Sequence, residues 1–169
     1  MKTNYPPILD ACCGGRMFWF DKHNPNALFQ DIREVPPTDF YQGRIFEVNP
    51  DVVADFTNMP YPDDTFRMVV FDPPHLPRPA KTGKLGYMHL KYGHLEPDWK
   101  DTLRKGFSEC FRVLKKQGFL IFKWSEANIS VSEVLPLAPM QPLFGHRTGK
   151  SGKTLWICFM KLDTDNGKD

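Results

Sequence analysis

The sequence predicts an α/β protein built on a mostly parallel sheet with an antiparallel edge. Three observations carry this. Short apolar runs of strand length alternate with turn chemistry and with one clear amphipathic helix, the pattern of βαβ units. The last two runs are separated only by the loop TGKSGK, which suits a hairpin. Four of the runs end in, or close to, an acidic residue: Asp10, Asp31, Asp55 and Asp72. In open α/β sheets ligands sit outside the carboxyl ends of the strands, so these acids mark where to look for chemistry.

The elements follow in order. Residues 8–12 read as a buried strand released by Pro6-Pro7, and 27–32 as a second, after Asn24-Pro25-Asn26. Residues 51–56 form a weaker third, and 66–71 a fourth with the clearest apolar β pattern. GFLIFKW, at 118–124, is a fifth; PLFGHR and TLWICFMK are the sixth and seventh. From Asp98, DWKDTLRKGFSECFRVLKKQG predicts the main helix. Trp99, Leu103, Phe107, Cys110, Phe111 and Leu114 share one face; Asp98 can cap its start, and Gly118 can end it. Ser130 to Glu133 is a capping-box pattern for a short helix that Pro136 disturbs. The stretch 15–22 has room for only a turn or two of helix.

The 169 residues suit one domain, placed at 1–162, with a polar tail at 163–169. A hydrophobic fraction of 41% is enough to bury a real core. A net charge of +2 does not fit a protein that grips a long phosphate backbone, so any nucleic-acid contact should be local. Neither a run of about 18 apolar residues nor a signal-peptide core is visible, which predicts a cytoplasmic protein without a membrane partner. The four cysteines form no C-x-x-C pair; reduced, buried thiols and no metal site are expected.

Each strand-end acid has two readings. In ILDACCGGR, Asp10 and Cys12 precede Gly14 and Gly15, where backbone can turn sharply and approach a nucleotide-like ligand; a tight turn is the alternative. Asp31 follows Asp10 by about twenty residues, the separation at which an acid meets ribose hydroxyls; a helix cap or surface charge is the alternative. Asp55 can accept an adenine amine while Phe56 covers the ring, or it is a loop acid. Asp72-Pro73-Pro74-His75 is stiff, because both prolines fix φ and lack an N–H. It cannot continue a sheet ladder, so its carbonyls are available to a ligand; a plain strand terminator is the alternative.

With these four signals in this order, the chain resembles the class I S-adenosyl-L-methionine-dependent methyltransferases over roughly residues 8–161. Asp10-Ala11-Cys12-Cys13-Gly14 is similar to their first motif, with Cys12 in place of its first glycine; Asp31 matches the ribose acid and Asp55 the adenine acid. Asp72-Pro73-Pro74-His75 resembles the Asp-Pro-Pro-aromatic motif of the amino-methyltransferases, with His75 where a larger aromatic ring stands. The resemblance implies a Rossmann-like, mostly parallel seven-stranded sheet with a C-terminal antiparallel hairpin. It also implies S-adenosyl-L-methionine as cofactor and an exocyclic amine of adenine or cytosine as acceptor. Small size and the segment RMFWFDK resemble the phage and prophage members. The motif's chemistry would lie in acceptors at Asp72 and the Pro73 carbonyl, held without reorganisation, that stabilise the charge developing on the amine. The ring at His75 would stack on a flipped base or move a proton, or His75 would only prop the loop.

The segment after this motif carries Lys81 and Lys84 with Tyr87 and Tyr92 interleaved, a pattern for phosphate and base contact beside an active site; a solvated lid is the alternative. HRTGKSGKT does not meet the spacing of a phosphate-binding P-loop. No mass is left over for a target-recognition domain, so a protein partner could select the target. Nucleic acid, DNA ahead of RNA, is the expected partner. A small-molecule methyltransferase is the main alternative, supported by MPYPDDTFRMVV, and a non-catalytic nucleotide-binding module is the third reading.

Overall fold

Pro6 and Pro7 deliver the chain into β1 (Ile8–Asp10), the centre of the sheet. The computed structural model describes residues 5–78, 87–148 and 150–162; of Phe40, Tyr41 and Tyr87 only the backbone is described. β1 pairs in parallel with β2 (Ala27–Asp31) on one side and with β6 (Phe66–Phe71) on the other. β2 carries the two-residue β5 (Val52–Val53), shorter than the sequence suggests. β6 pairs in parallel with β7 (Leu114–Ser125). β9 (Thr154–Met160) then runs antiparallel between β7 and β8 (Phe144–Thr148). The order β5-β2-β1-β6-β7-β9-β8 is the expected seven-stranded sheet with its antiparallel edge. The chain leaves β1 toward one side and comes back on the other, so a crevice opens at the carboxyl ends of β1 and β6.

Between β2 and β5 the chain forms a separate antiparallel hairpin, β3 (Val35–Tyr41) and β4 (Arg44–Val48). Sequence reading passes over it because Pro36-Pro37 argues against a strand. The pair belongs to no larger sheet, so the prolines interrupt no central ladder, and Gly43, at φ +78, turns the chain. The stretch 15–22 holds turns, not helix.

The main helix, α2 (Trp99–Val113), buries Leu103, Phe107, Cys110 and Phe111, as its spacing predicts. Phe107 packs on Phe122 at 4.9 Å and on Phe71 at 5.5 Å. Two expectations at its ends are corrected. Asp98 makes no side-chain capping bond, and the helix ends at Val113, before Gly118. Leu114 already belongs to β7, and the ladder to β6 slips between Leu114 and Phe119. Gly118 serves close packing there: a Cβ would lie 2.8 Å from the Arg67 carbonyl. A six-residue helix, α1 (Tyr87–Tyr92), precedes α2. A short α3 (Val131–Val134) opens with the Ser130 side chain accepting the Ser132 N–H.

Candidate functional site

Beyond the ends of β1, β2 and β6 lies a cavity of about 410 Å³, a size that suits a small-molecule ligand. The turn after β1 forms its floor. Gly14 adopts φ +49, a left-handed conformation that glycine allows without strain. Cys12, Gly14 and Gly15 all line the space, with Asp31, Phe56, Asp72, Pro74 and Tyr92. Eight of the residues singled out by sequence therefore share one cavity, although they come from five separate segments.

Asp31 is buried and already bonded. It accepts the Gly14 N–H at 2.9 Å, the Arg33 N–H at 3.0 Å and Arg33 Nε at 3.1 Å. It thus holds the glycine turn in place; its longest contact, from Arg33 Nη2 to Oδ2 at 3.5 Å, is the one a ligand hydroxyl would displace. The same Arg33 donates Nη1 to the Leu90 carbonyl at 3.1 Å, tying α1 across the mouth of the cavity. Gly93, just after α1, rests on Pro74: a Cβ there would meet Pro74 Cγ at 3.0 Å.

Asp72 directly follows β6 and lines the cavity. Lys123, on the neighbouring β7, places Nζ 2.6 Å from Asp72 Oδ2, with 21% and 17% of the two side chains exposed. Burial raises the Asp72 pKa, and Lys123 opposes that rise. The ammonium also lies 5.6 Å from the Phe18 ring centroid and 5.8 Å from that of Trp156. Sequence reading missed Lys123; the signal was a lone cation in the apolar run FLIFKW. Ile32, Met17 and Phe18 line the cavity as well and were missed, since nothing local marks them.

Four expected residues lie off the cavity's lining, and one of them is Pro73, which is buried between the lining residues Asp72 and Pro74. Asp10 is fully buried beneath the turn, where it accepts Trp19 Nε1 at 2.7 Å and the Cys12 N–H at 3.3 Å. Burial pushes its pKa up to about 7, with Asp72 and Asp31 adding to the rise and the two hydrogen bonds opposing it. Asp10 supports the turn from below. Asp55 is exposed and folds onto its own loop, accepting the Thr57 N–H and Oγ1–H at 2.8 Å each. Of that pair only Phe56 reaches the cavity. It stands edge-on to Phe71 at 5.3 Å and fills the space where Gly106 lacks a side chain. His75 sits between the rings of Tyr92, at 5.8 Å, and Trp124, at 6.3 Å. Burial, then Lys123, pushes its pKa down to about 4, so it is neutral at pH 7. Lys81, Lys84 and the side chain of Tyr87 lie outside the described residues, as does the tail at 163–169.

The cavity therefore combines the apolar side chains of Ile32 and Phe56 with the carboxylates of Asp31 and Asp72. Among the described residues no helix is long and apolar enough to cross a membrane.

No family model and no curated protein matches the sequence. Solved structures do match. The PH0226 protein of Pyrococcus horikoshii OT3 superposes with a TM-score of 0.59 at 18% identity, over 91% of this chain and 81% of that one. A TehB-like SAM-dependent methyltransferase from Corynebacterium glutamicum ATCC 13032 superposes with a TM-score of 0.54 at 14% identity, over 93% and 80%. The chain has the Rossmann-like fold of these proteins.

Proposed function

We propose that this chain is an S-adenosyl-L-methionine-dependent methyltransferase that modifies an exocyclic amine of adenine or cytosine in nucleic acid. The observation that carries the reading is the meeting of two features in one cavity. The glycine turn braced by Asp31 forms its floor, and Asp72 and Pro74 of the stiff segment after β6 line the wall beside it.

The residues present fit the cofactor. Ile32 and Phe56 offer apolar walls to an adenine ring, Asp31 an acceptor to a ribose hydroxyl, and Cys12, Gly14 and Gly15 a floor without bulky side chains. When bound, the cofactor supplies an electrophilic methyl group on a sulfonium. Asp10, buried beneath the turn, acts by holding it. Asp55, its Oδ1 held by Thr57, stands off the cavity's lining and would meet the adenine amine only after a shift of its loop.

Asp72 carries the chemistry on the acceptor side. Oδ2 is engaged by Lys123, which leaves Oδ1 to accept an amine N–H. The Pro73 carbonyl, fixed by two successive prolines, accepts the second. Together they draw the amine nitrogen toward tetrahedral geometry and offset the positive charge that grows on it. Lys123 favours the ionised form of Asp72 and so opposes the effect of its burial. His75, neutral at pH 7, presents a ring backed by Tyr92 and Trp124 and carries no charge to repel the developing cation. Lys81, Lys84, Tyr87 and Tyr92 are the proposed contacts to the substrate.

The test is transfer of a labelled methyl group from S-adenosyl-L-methionine to double-stranded DNA, single-stranded DNA, RNA and a metabolite extract in turn. The reading expects label in N6-methyladenine or N4-methylcytosine. Asp72→Ala should abolish it while cofactor binding is kept. Label confined to small molecules would replace the acceptor with a small-molecule amine. Absence of cofactor binding in calorimetry would sink the enzyme reading altogether.

A further inference from the structure

A second cavity, of about 420 Å³, adjoins the first and shares Gly14, Gly15, Met17 and Lys91 with it. Its far wall is β4 of the inserted hairpin; its near wall is the loop that follows the glycine turn. Resting on the reading above, we propose that this second cavity is the phosphate-binding site that seats the backbone of a nucleic-acid substrate while its base occupies the first cavity.

Charge is the first ground. Lys22, Arg44, Lys91 and Arg16 line the cavity against one acid, Glu47. In a chain with a net charge of only +2, that is a local concentration of cations. Lys22 and Arg44 are exposed, and among the described residues neither side chain takes an ion-pair partner. A phosphate is recognised by such cations at the edge of a cleft, where they position the strand without reading bases.

Construction is the second ground. Arg16 is spent on building the walls. Its guanidinium lies 3.8 Å from the Phe29 ring centroid and donates to the Lys22 carbonyl at 2.6 Å and to the Asn49 carbonyl at 2.7 Å. One side chain therefore fixes the loop that carries Lys22 to the exit of β4. The hairpin is also docked on the glycine turn: a Cβ on Gly15 would meet Phe46 Cε2 at 3.1 Å and the Glu47 carbonyl at 3.4 Å. The cleft is thus held open between two pinned walls. The hairpin that provides Arg44 lies outside the main sheet and also lines the first cavity through Val35, so it joins the two spaces.

The test measures binding, not turnover. A short single-stranded oligodeoxynucleotide, inorganic pyrophosphate and S-adenosyl-L-methionine are titrated separately by calorimetry into the unaltered chain and into the Lys22→Glu/Arg44→Glu double variant. Lys105→Glu, on the exposed side of α2, serves as the remote charge control. The double variant should weaken oligonucleotide and pyrophosphate binding at least tenfold. It should flatten the plot of log affinity against log salt by about 1.4, the loss of two single-strand phosphate contacts. Cofactor affinity should stay within twofold, and the control should change neither. Circular dichroism verifies folding, and Lys22→Met/Arg44→Met repeats the experiment without charge reversal. Equal phosphate binding by the variants overturns the site, as does an unaltered chain that binds neither phosphate probe. A loss of cofactor affinity in their place also overturns it, because the cavity would then serve the cofactor's carboxylate. If both probes bind through Lys22 and Arg44 but no methyl reaches nucleic acid, the site stands and the proposed reaction falls.

Discussion

Replacing Lys123 by methionine tests the electrostatic design of the site. Methionine keeps an apolar stem beside Phe18 and Trp156 but removes the ammonium 2.6 Å from Asp72 Oδ2. Breaking a fully buried pair by deleting one partner costs about 3–5 kcal/mol. Here 21% and 17% of the two side chains still meet water, which screens part of the loss, so about 2–3 kcal/mol is expected. For a chain of this size that lowers the melting temperature by roughly 8 °C. The pH dependence has a definite sign. The folded-state pKa of Asp72 is raised by burial, so its contribution is present at acid pH and lost as pH rises through the folded value. Without Lys123 the folded pKa rises further. The deficit of the variant should therefore be small at acid pH and reach its full size above neutrality. Thermal and urea melts from pH 4 to pH 8 measure it, with Asp72→Asn and the double variant closing a cycle. Asp72→Asn in the Lys123→Met background should restore most of the loss, because the uncompensated charge is gone. A deficit below about 0.5 kcal/mol at pH 8, or no recovery in the double variant, refutes the assignment of Lys123 as the counter-ion of a buried carboxylate.

Asp10, with its pKa at about 7, should destabilise the fold as pH rises from 4 to 8, by on the order of 4 kcal/mol. Asp10→Asn should flatten that slope in melts across the same range. Gly106→Ala places a Cβ 2.7 Å from Phe56 Cδ2 and 2.8 Å from Phe71 Cζ. Overpacking of about 1–3 kcal/mol outweighs the gain of about 1 kcal/mol in helix propensity, and displacement of Phe56 should weaken cofactor binding in calorimetry. Asp31→Ala removes the acceptor that holds the Gly14 N–H and the Arg33 guanidinium. Cofactor affinity should fall at least tenfold, and hydrogen exchange in α1 should speed up as the Arg33 tie to Leu90 loosens.

The sheet was legible in the sequence because its evidence is local. Apolar runs of strand length, prolines at their starts and acids at their ends are properties of adjacent residues. They placed the seven strands, the main helix face and the terminal hairpin. The residues of the first cavity were legible in the same way, as far as they stand at strand ends. What local pattern could not supply was partnership. Lys123 and Asp72 are 51 residues apart and meet only because β6 and β7 are neighbours. Arg33 reaches Leu90 across 57 residues and so decides how α1 closes the site. Asp10 and Asp55 look alike as strand-end acids. Only the packing of Trp19 over one and the turn of Thr57 under the other assign them to structure beside the cavity. By itself, then, the sequence determined which segments become strands and which acids stand at their carboxyl ends, because backbone propensity and apolar period act over a few residues. The tertiary structure alone decided which of those acids face the cavity, which are buried and paired, and where an inserted hairpin sets its cations. Burial and charge compensation depend on segments that are distant in the chain and adjacent only in the fold.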